Sequence, residues 1–82
     1  MMSVKLIGKS AFCSCSKLET LIISNGTERI DAYAFYFCKG LNSIIFEGTC
    51  EEWMAIDKAP SWNLQVAARE VQCTNGTVAI SW

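Results

Sequence analysis

The sequence predicts a strand-rich repeat fold of the α/β repeat class, in which short units stack and each gives one strand to a shared parallel sheet. Three observations predict it. Residues 7–23 and 30–46 are imperfect copies 23 residues apart: Ile7/Ile30, Ala11/Ala34, Phe12/Phe35, Cys15/Cys38, Leu18/Leu41 and Ile22/Ile45 are identical, while Leu21/Ile44 and Ile23/Phe46 stay apolar. Each copy ends on a run with period-two alternation, the signature of a strand. A turn signal follows each run, Asn25-Gly26 after the first and Gly48 after the second. A fixed spacing of this size marks stacked supersecondary units, none of which buries its apolar face alone.

The organisation follows from the repeat. The 82 residues form a single domain. Residues 1–6 read as the remnant of a preceding unit, with Val4 at the position of Thr27. Residues 7–29 and 30–49 are the two repeats, and residues 50–82 break the period and read as a C-terminal cap.

Within each repeat the strand segments are Leu-x-x-Leu-x-Ile at 18–23 and Leu-x-x-Ile-x-Phe at 41–46. Leu21 and Ile23 point one way and Thr20 and Ile22 the other; Ile44 and Phe46 oppose Ser43 and Ile45 in the same manner. Ala11-Phe12 and Ala34-Phe35 fall on the return half, which is too short for a stable helix. Phe12 and Phe35 are expected to stack inside, with Cys15 and Cys38 as a second inner ladder. The cap is expected to open with a helix over 51–58, acidic at Glu51-Glu52 and basic at Lys58 to suit the helix dipole. Trp53, Ile56 and Ala59 would share its buried face, and Pro60 would stop it. Trp53 stands 23 positions after Ile30, so its indole is expected to take the stacking position. Thr74-Asn75-Gly76 between two β-type runs predicts a final hairpin at about 69–80.

Composition excludes several function classes. An apolar fraction of 51% is too high for a disordered chain. Net charge is −1, from seven basic and eight acidic residues spread along the chain, so nothing favours nucleic acid. No stretch approaches the ~20 apolar residues of a membrane span. Met1 to Lys9 lacks the order of an export signal, so an exported form carries that signal elsewhere, as a piece of a longer protein would.

Catalytic and metal chemistry find little support. Histidine is absent, which removes the commonest general base and metal ligand at neutral pH. Glu51 and Glu52 are neighbours on a helix, so their side chains diverge and suit the helix start better than an acid–base pair. Cys13, Cys15 and Cys38 make a weak zinc site, because only one close pair exists and its spacing alternates faces. The five cysteines cannot all pair within one chain, so they read mainly as packed thiols, with a Cys50–Cys73 disulfide as the alternative. No cofactor is implied. Asn25-Gly26-Thr27 and Asn75-Gly76-Thr77 match the glycosylation pattern, yet both stand where turns are needed. Trp53, Trp62 and Trp82 could suggest a sugar platform, but Trp53 and Trp62 are expected to pack.

These residues resemble the BspA-like, or Treponema pallidum-type, bacterial leucine-rich repeat, whose unit reads roughly Ile-Gly-x-x-Ala-Phe-x-x-Cys-x-x-Leu-x-x-Ile-x-Ile-Pro. Residues 7–23 follow that unit closely. Asp31 replaces its glycine in the second copy, and both copies lack its final proline. Gly48-Thr49, Glu52-Trp53, Trp62-Asn63 and residues 71–78 look like the C-terminal cap of such proteins. The resemblance implies a leucine-rich-repeat solenoid, here a fragment of two repeats plus a cap. It also implies display or secretion by host-associated bacteria and adhesion to host extracellular-matrix or plasma proteins. Without a signal in the chain, a cytoplasmic location stays open.

The resulting expectation is a non-catalytic protein-binding module that contacts its partner through the concave strand face, at Thr20, Ile22, Ser43 and Ile45. Two outward isoleucines in register would form a small apolar patch rimmed by Glu19, Ser24 and Glu47. The alternative is a capping and assembly unit without a ligand, whose open N-terminal edge at Leu6 and Ile7 joins a second copy end to end as a homodimer.

Overall fold

The computed structural model of the chain describes residues 6–8, 12, 15 and 17–80. Its order is β1 (Leu6–Ile7), β2 (Thr20–Ile23), β3 (Arg29–Ile30), β4 (Ser43–Phe46), α1 (Cys50–Ala55), β5 (Asp57–Lys58), β6 (Glu70–Cys73) and β7 (Gly76–Ala79). The short strands β1, β3 and β5 make one parallel sheet; β2, β4 and β6 run parallel in the other, with β7 antiparallel at its edge.

The period-two pattern fixes which side chains turn inward. Leu21, Ile23, Ile44, Phe46 and Val71 are buried from the longer sheet, and Ile7 and Ile30 from the shorter one. Ala34, Phe35, Cys38 and Leu41 of the return half fill the space between. A one-residue slip would turn this whole apolar set outward, so the register is strongly specified. Thr20 pairs with Ser43, Leu21 with Ile44, Ile22 with Ile45 and Ile23 with Phe46. Asn25-Gly26 lies in the turn after β2, where the Thr27 N–H donates to the Ser24 carbonyl and the Gly26 N–H to the Ser24 hydroxyl.

Phe12 and Phe35 stack with ring centroids 5.2 Å apart and planes 8° from parallel. Cys38 is fully buried and its thiol donates to the Phe12 carbonyl, while Cys15 is half-buried beside the same core. Ala11, Cys13 and Trp82 lie outside the described residues.

The region after Gly48 corrects the expected helix. It spans Cys50–Ala55 rather than 51–58, because Thr49 and Glu52 form a reciprocal capping box that sets its start. The Glu52 N–H donates to the Thr49 hydroxyl at 3.1 Å, and the Thr49 N–H to the Glu52 carboxylate at 2.8 Å. Ile56 is already extended, so the helix ends well before Pro60. Lys58 lies in β5, not in the helix, yet its ammonium donates to the Trp53 and Ile56 carbonyls at 2.9 Å each. It thereby caps the helix C-terminus from outside, and burial lowers its pKa while Asp57 opposes that shift. Ala59 is buried after β5 rather than on the helix.

Register supplies a second correction. Ile7 pairs with Ile30, 23 positions on, but Ile30 pairs with Lys58 and not with Trp53. The helix nucleated by the capping box takes up Trp53 on its inner face and delays the next strand. Beyond it the earlier geometry resumes. The Asp31 N–H donates to the Ile7 carbonyl, and the Ala59 N–H to the Ile30 carbonyl. The Phe12 N–H donates to the Ala34 carbonyl, and the Phe35 N–H to the Trp62 carbonyl. Tyr33 and Phe37 adopt left-handed φ of 56° and 65°, and Ser61 and Gln65 repeat this at 63° and 68°. Residues 57–73 thus join both sheets in the manner of the copies before them.

Rings connect the layers. Phe35 meets Trp62 edge-on at 6.3 Å, Trp62 meets Trp53 at 5.6 Å, and Trp53 meets Phe46 at 5.5 Å. A Cβ on Gly48 would lie 2.6 Å from the Phe46 ring, so that ring requires glycine beside it. Phe35→Ala is expected to cost about 3–5 kcal/mol, because the ring is fully buried and its cavity has rigid walls. In a chain this small, urea titration by circular dichroism should show mostly unfolded variant before denaturant is added.

Candidate functional site: the outward strand face

A single face of β2, β4, β6 and β7 carries the side chains that the core does not use. Thr20 is exposed there, and Ile22, Ser43 and Ile45 are half-buried. Parallel register brings them together in two rows, Thr20 beside Ser43 and Ile22 beside Ile45. The rows continue past the repeats. Gln72 stands beside Ile45, and Thr77 beside Gln72 across the hairpin. Glu70 pairs with Ala79 in the other row. Four strands at about 4.8 Å spacing give a face roughly 14 Å wide, enough for one extended peptide segment or a few large side chains.

The rim is acidic and held by the backbone. The Glu19 carbonyl accepts from the Asn42 and Ser43 N–H groups at 3.1 and 3.2 Å, which fixes the entry of β2 against β4. The Glu47 N–H donates to the Ile23 carbonyl at 2.9 Å, fixing the opposite end. Glu19 and Glu70 are exposed and Glu47 is half-buried. An apolar centre with carboxylates around it favours a partner with apolar side chains and basic groups at their margins.

The assembly-edge residues behave differently from each other. Leu6 is 55% exposed on β1, whereas Ile7 is 2% exposed and belongs to the core. A charge at Ile7 would therefore disrupt the fold first, so Leu6 alone can report on contact with another chain.

Several surface residues escaped the sequence reading. Glu70, Gln72 and Thr77 extend the face, but the helix breaks the 23-residue spacing that would have aligned them; the alternation in Glu70-Val71-Gln72-Cys73 was the available signal. A second cluster sits on the return half. Tyr33 and Phe37 are exposed large apolar residues, Tyr36 contacts both at 5.5 and 5.6 Å, and the Lys39 ammonium lies 4.2 Å from the Phe37 ring centre. Four aromatics within residues 33–37 were the signal for it.

The other candidates resolve into packing. Trp53 and Trp62 are buried and offer no stacking face to a sugar. Glu52 caps α1, and the Glu51 carboxylate accepts from the Asn75 amide at 3.2 Å. The Asn75 amide oxygen in turn accepts from the Cys50 N–H, so this side chain serves the hairpin and helix rather than a glycan. Among the described residues no helix is long and apolar enough to cross a membrane.

A family model described as BspA type leucine rich repeat region (6 copies) matches residues 2–55. No curated protein and no solved structure matches the chain.

The two faces of the sheet should differ in tolerance. Ile22→Thr and Ile45→Thr keep a β-branched side chain at half-exposed positions, so each should change stability by about 1 kcal/mol or less. Ile44→Thr puts a hydroxyl into the core and should cost about 2–3 kcal/mol. Equilibrium urea unfolding of the three variants checks the assignment of faces.

Proposed function

The chain belongs to the BspA-type leucine-rich-repeat family, and from that membership we propose a non-catalytic protein-binding module whose contact surface is the outward face of β2, β4 and β6. The observation that carries this reading is the in-register pairing of Ile22 with Ile45 and of Thr20 with Ser43, outside a core that needs none of them. In this reading residues 7–29 and 30–49 are two turns of a solenoid. Residues 1–6 end a preceding unit, and residues 50–82 close the array as its cap. Ile22 and Ile45 supply buried contact area, Thr20, Ser43 and Gln72 supply hydrogen bonds, and Glu19, Glu47 and Glu70 select a partner with a basic rim. The module acts at the cell surface or after secretion, in adhesion-type contact with a host extracellular-matrix or plasma protein.

The discriminating measurement is capture by the immobilised, reduced chain from plasma and matrix extract, read by mass spectrometry. An Ile22→Glu/Ile45→Glu variant runs in parallel. A partner retained by the wild type and lost by a variant of unchanged circular dichroism is the expected outcome. Equal capture by both would remove the strand face from the reading.

A second reading has its own support. β1 and β2 are the outer strands of their sheets among the described residues, and Leu6 is exposed on β1. Such an edge invites pairing with a second copy, which would make the chain a capping and assembly unit. That reading predicts a homodimer in sedimentation equilibrium, dissociated by Leu6→Glu and indifferent to changes at Ile22 and Ile45. A monomer at all concentrations would end it.

A further inference from the structure

Two cysteines that the strand face does not use meet where α1 begins and the hairpin turns. Cys50 is the first residue of α1, and Cys73 is the last of β6. Backbone and amide contacts hold the two segments together on both sides of the sulfurs. The Thr74 N–H donates to the Gly48 carbonyl at 2.8 Å. The Cys50 N–H donates to the Asn75 amide oxygen at 2.8 Å, and the Asn75 amide donates to Glu51 at 3.2 Å. Cys73 pairs across the hairpin with Gly76, which has φ +150°, and a Cβ on that glycine would lie 3.5 Å from the Cys50 sulfur. The Cys50 sulfur therefore sits against the Cys73–Gly76 rung. Both thiols are free and half-buried.

We propose that Cys50 and Cys73 are a disulfide-forming pair, closed by a small-molecule disulfide oxidant, which staples the start of α1 to the hairpin. The exchange balances in two steps. The first cysteine thiolate attacks the oxidant's S–S bond, forms a mixed disulfide and releases one reduced thiolate. The second cysteine loses its proton to solvent and attacks the first; the Cys50–Cys73 bond forms, the mixed bond breaks and a second reduced thiolate leaves. Two protein thiols lose two protons and two electrons, and one oxidant disulfide becomes two thiols.

The surroundings favour closure within the chain over a lasting adduct. Three hydrogen bonds, one of them between backbones, already hold the two segments together, so little chain entropy is lost in bringing the sulfurs together. Burial first and the hydrogen bond to Cys50 second, with Glu51 nearby, push the Cys73 thiol up to about 11. Closure should therefore keep accelerating with pH beyond the ordinary cysteine range, as the thiolate population grows. The loop between the cysteines contains β5, the turn bearing Trp62 and most of β6. Closing it constrains that whole segment in the unfolded chain and raises stability.

The test uses the full chain with oxidised glutathione as the probe. After alkylation of remaining thiols, peptide mapping should show one cross-linked peptide pair joining Cys50 to Cys73. The oxidised wild type should unfold on the order of 10 °C higher than the reduced form. Cys50→Ser and Cys73→Ser should each lose both the cross-link and the shift, and either variant that folds suffices. A cross-link joining Cys50 or Cys73 to another cysteine, a disulfide between chains, persistent glutathione adducts on both sulfurs, or Cys50 and Cys73 both alkylated after oxidation would overturn the proposal.

Discussion

The ring contacts from Phe12 through Phe35, Trp62 and Trp53 to Phe46 are the interaction on which the remainder depends. Strands of two or four residues do not persist alone, and their backbone pairing would be lost to water without a packed interior. The rings supply that interior and come from the return half, the turn after β5, the helix and the longer sheet. They also explain why the helix can interrupt the repeat without opening the core. Trp53 enters from α1 to meet Phe46 and Trp62, so the inserted segment adds to the aromatic column instead of displacing it.

The same packing accounts for backbone that is unfavourable in isolation. Left-handed φ at aromatic residues such as Tyr33 and Phe37 costs on the order of 1–3 kcal/mol each. Between them Ala34 and Phe35 are completely buried, and the Phe35 and Phe37 N–H groups find the Trp62 and Leu64 carbonyls at 2.9 Å. Two consecutive turns of the same shape satisfy one another's polar groups, which neither could do alone. Ser61 and Gln65 adopt the same conformation with quite different side chains, so the shape belongs to the stacking geometry more than to local preference.

Much of this was legible where identity and spacing coincide. Ile7/Ile30, Phe12/Phe35 and Leu21/Ile44 told which side chains enter the core and which strands pair, because a repeat aligned by side chains is also aligned by hydrogen bonds. The same logic misled at Trp53. Spacing alone put the indole in the stacking position of Ile30, while the helix begun by the Thr49–Glu52 capping box moves that position on to Lys58. The third strand pair was hidden for a related reason: Asp57-Lys58 has no apolar signature, and Lys58 spends its charge on helix carbonyls. Of the strand face, the rows within the repeats were readable from alternation. Gln72 and Thr77 were not, since their place depends on how far the helix shifts the chain.

That shift shapes the face itself. Across the sheet the outward row changes from Ile22 and Ile45 to Gln72 and Thr77, from apolar to hydrogen-bonding. The apolar half lies on β2 and β4, and β4 carries Phe46 of the aromatic column. The polar half lies on β6 and β7, whose far side is tied to α1 through Asn75 and Gly48 rather than through large rings. Gln72 and Thr77 stand immediately before Cys73 and after Gly76, one step from the sulfur pair. Ordering a flexible edge on binding costs conformational entropy, and an edge fixed beforehand avoids that loss. A bond between Cys50 and Cys73 would thus fix the polar end of the face to the start of α1.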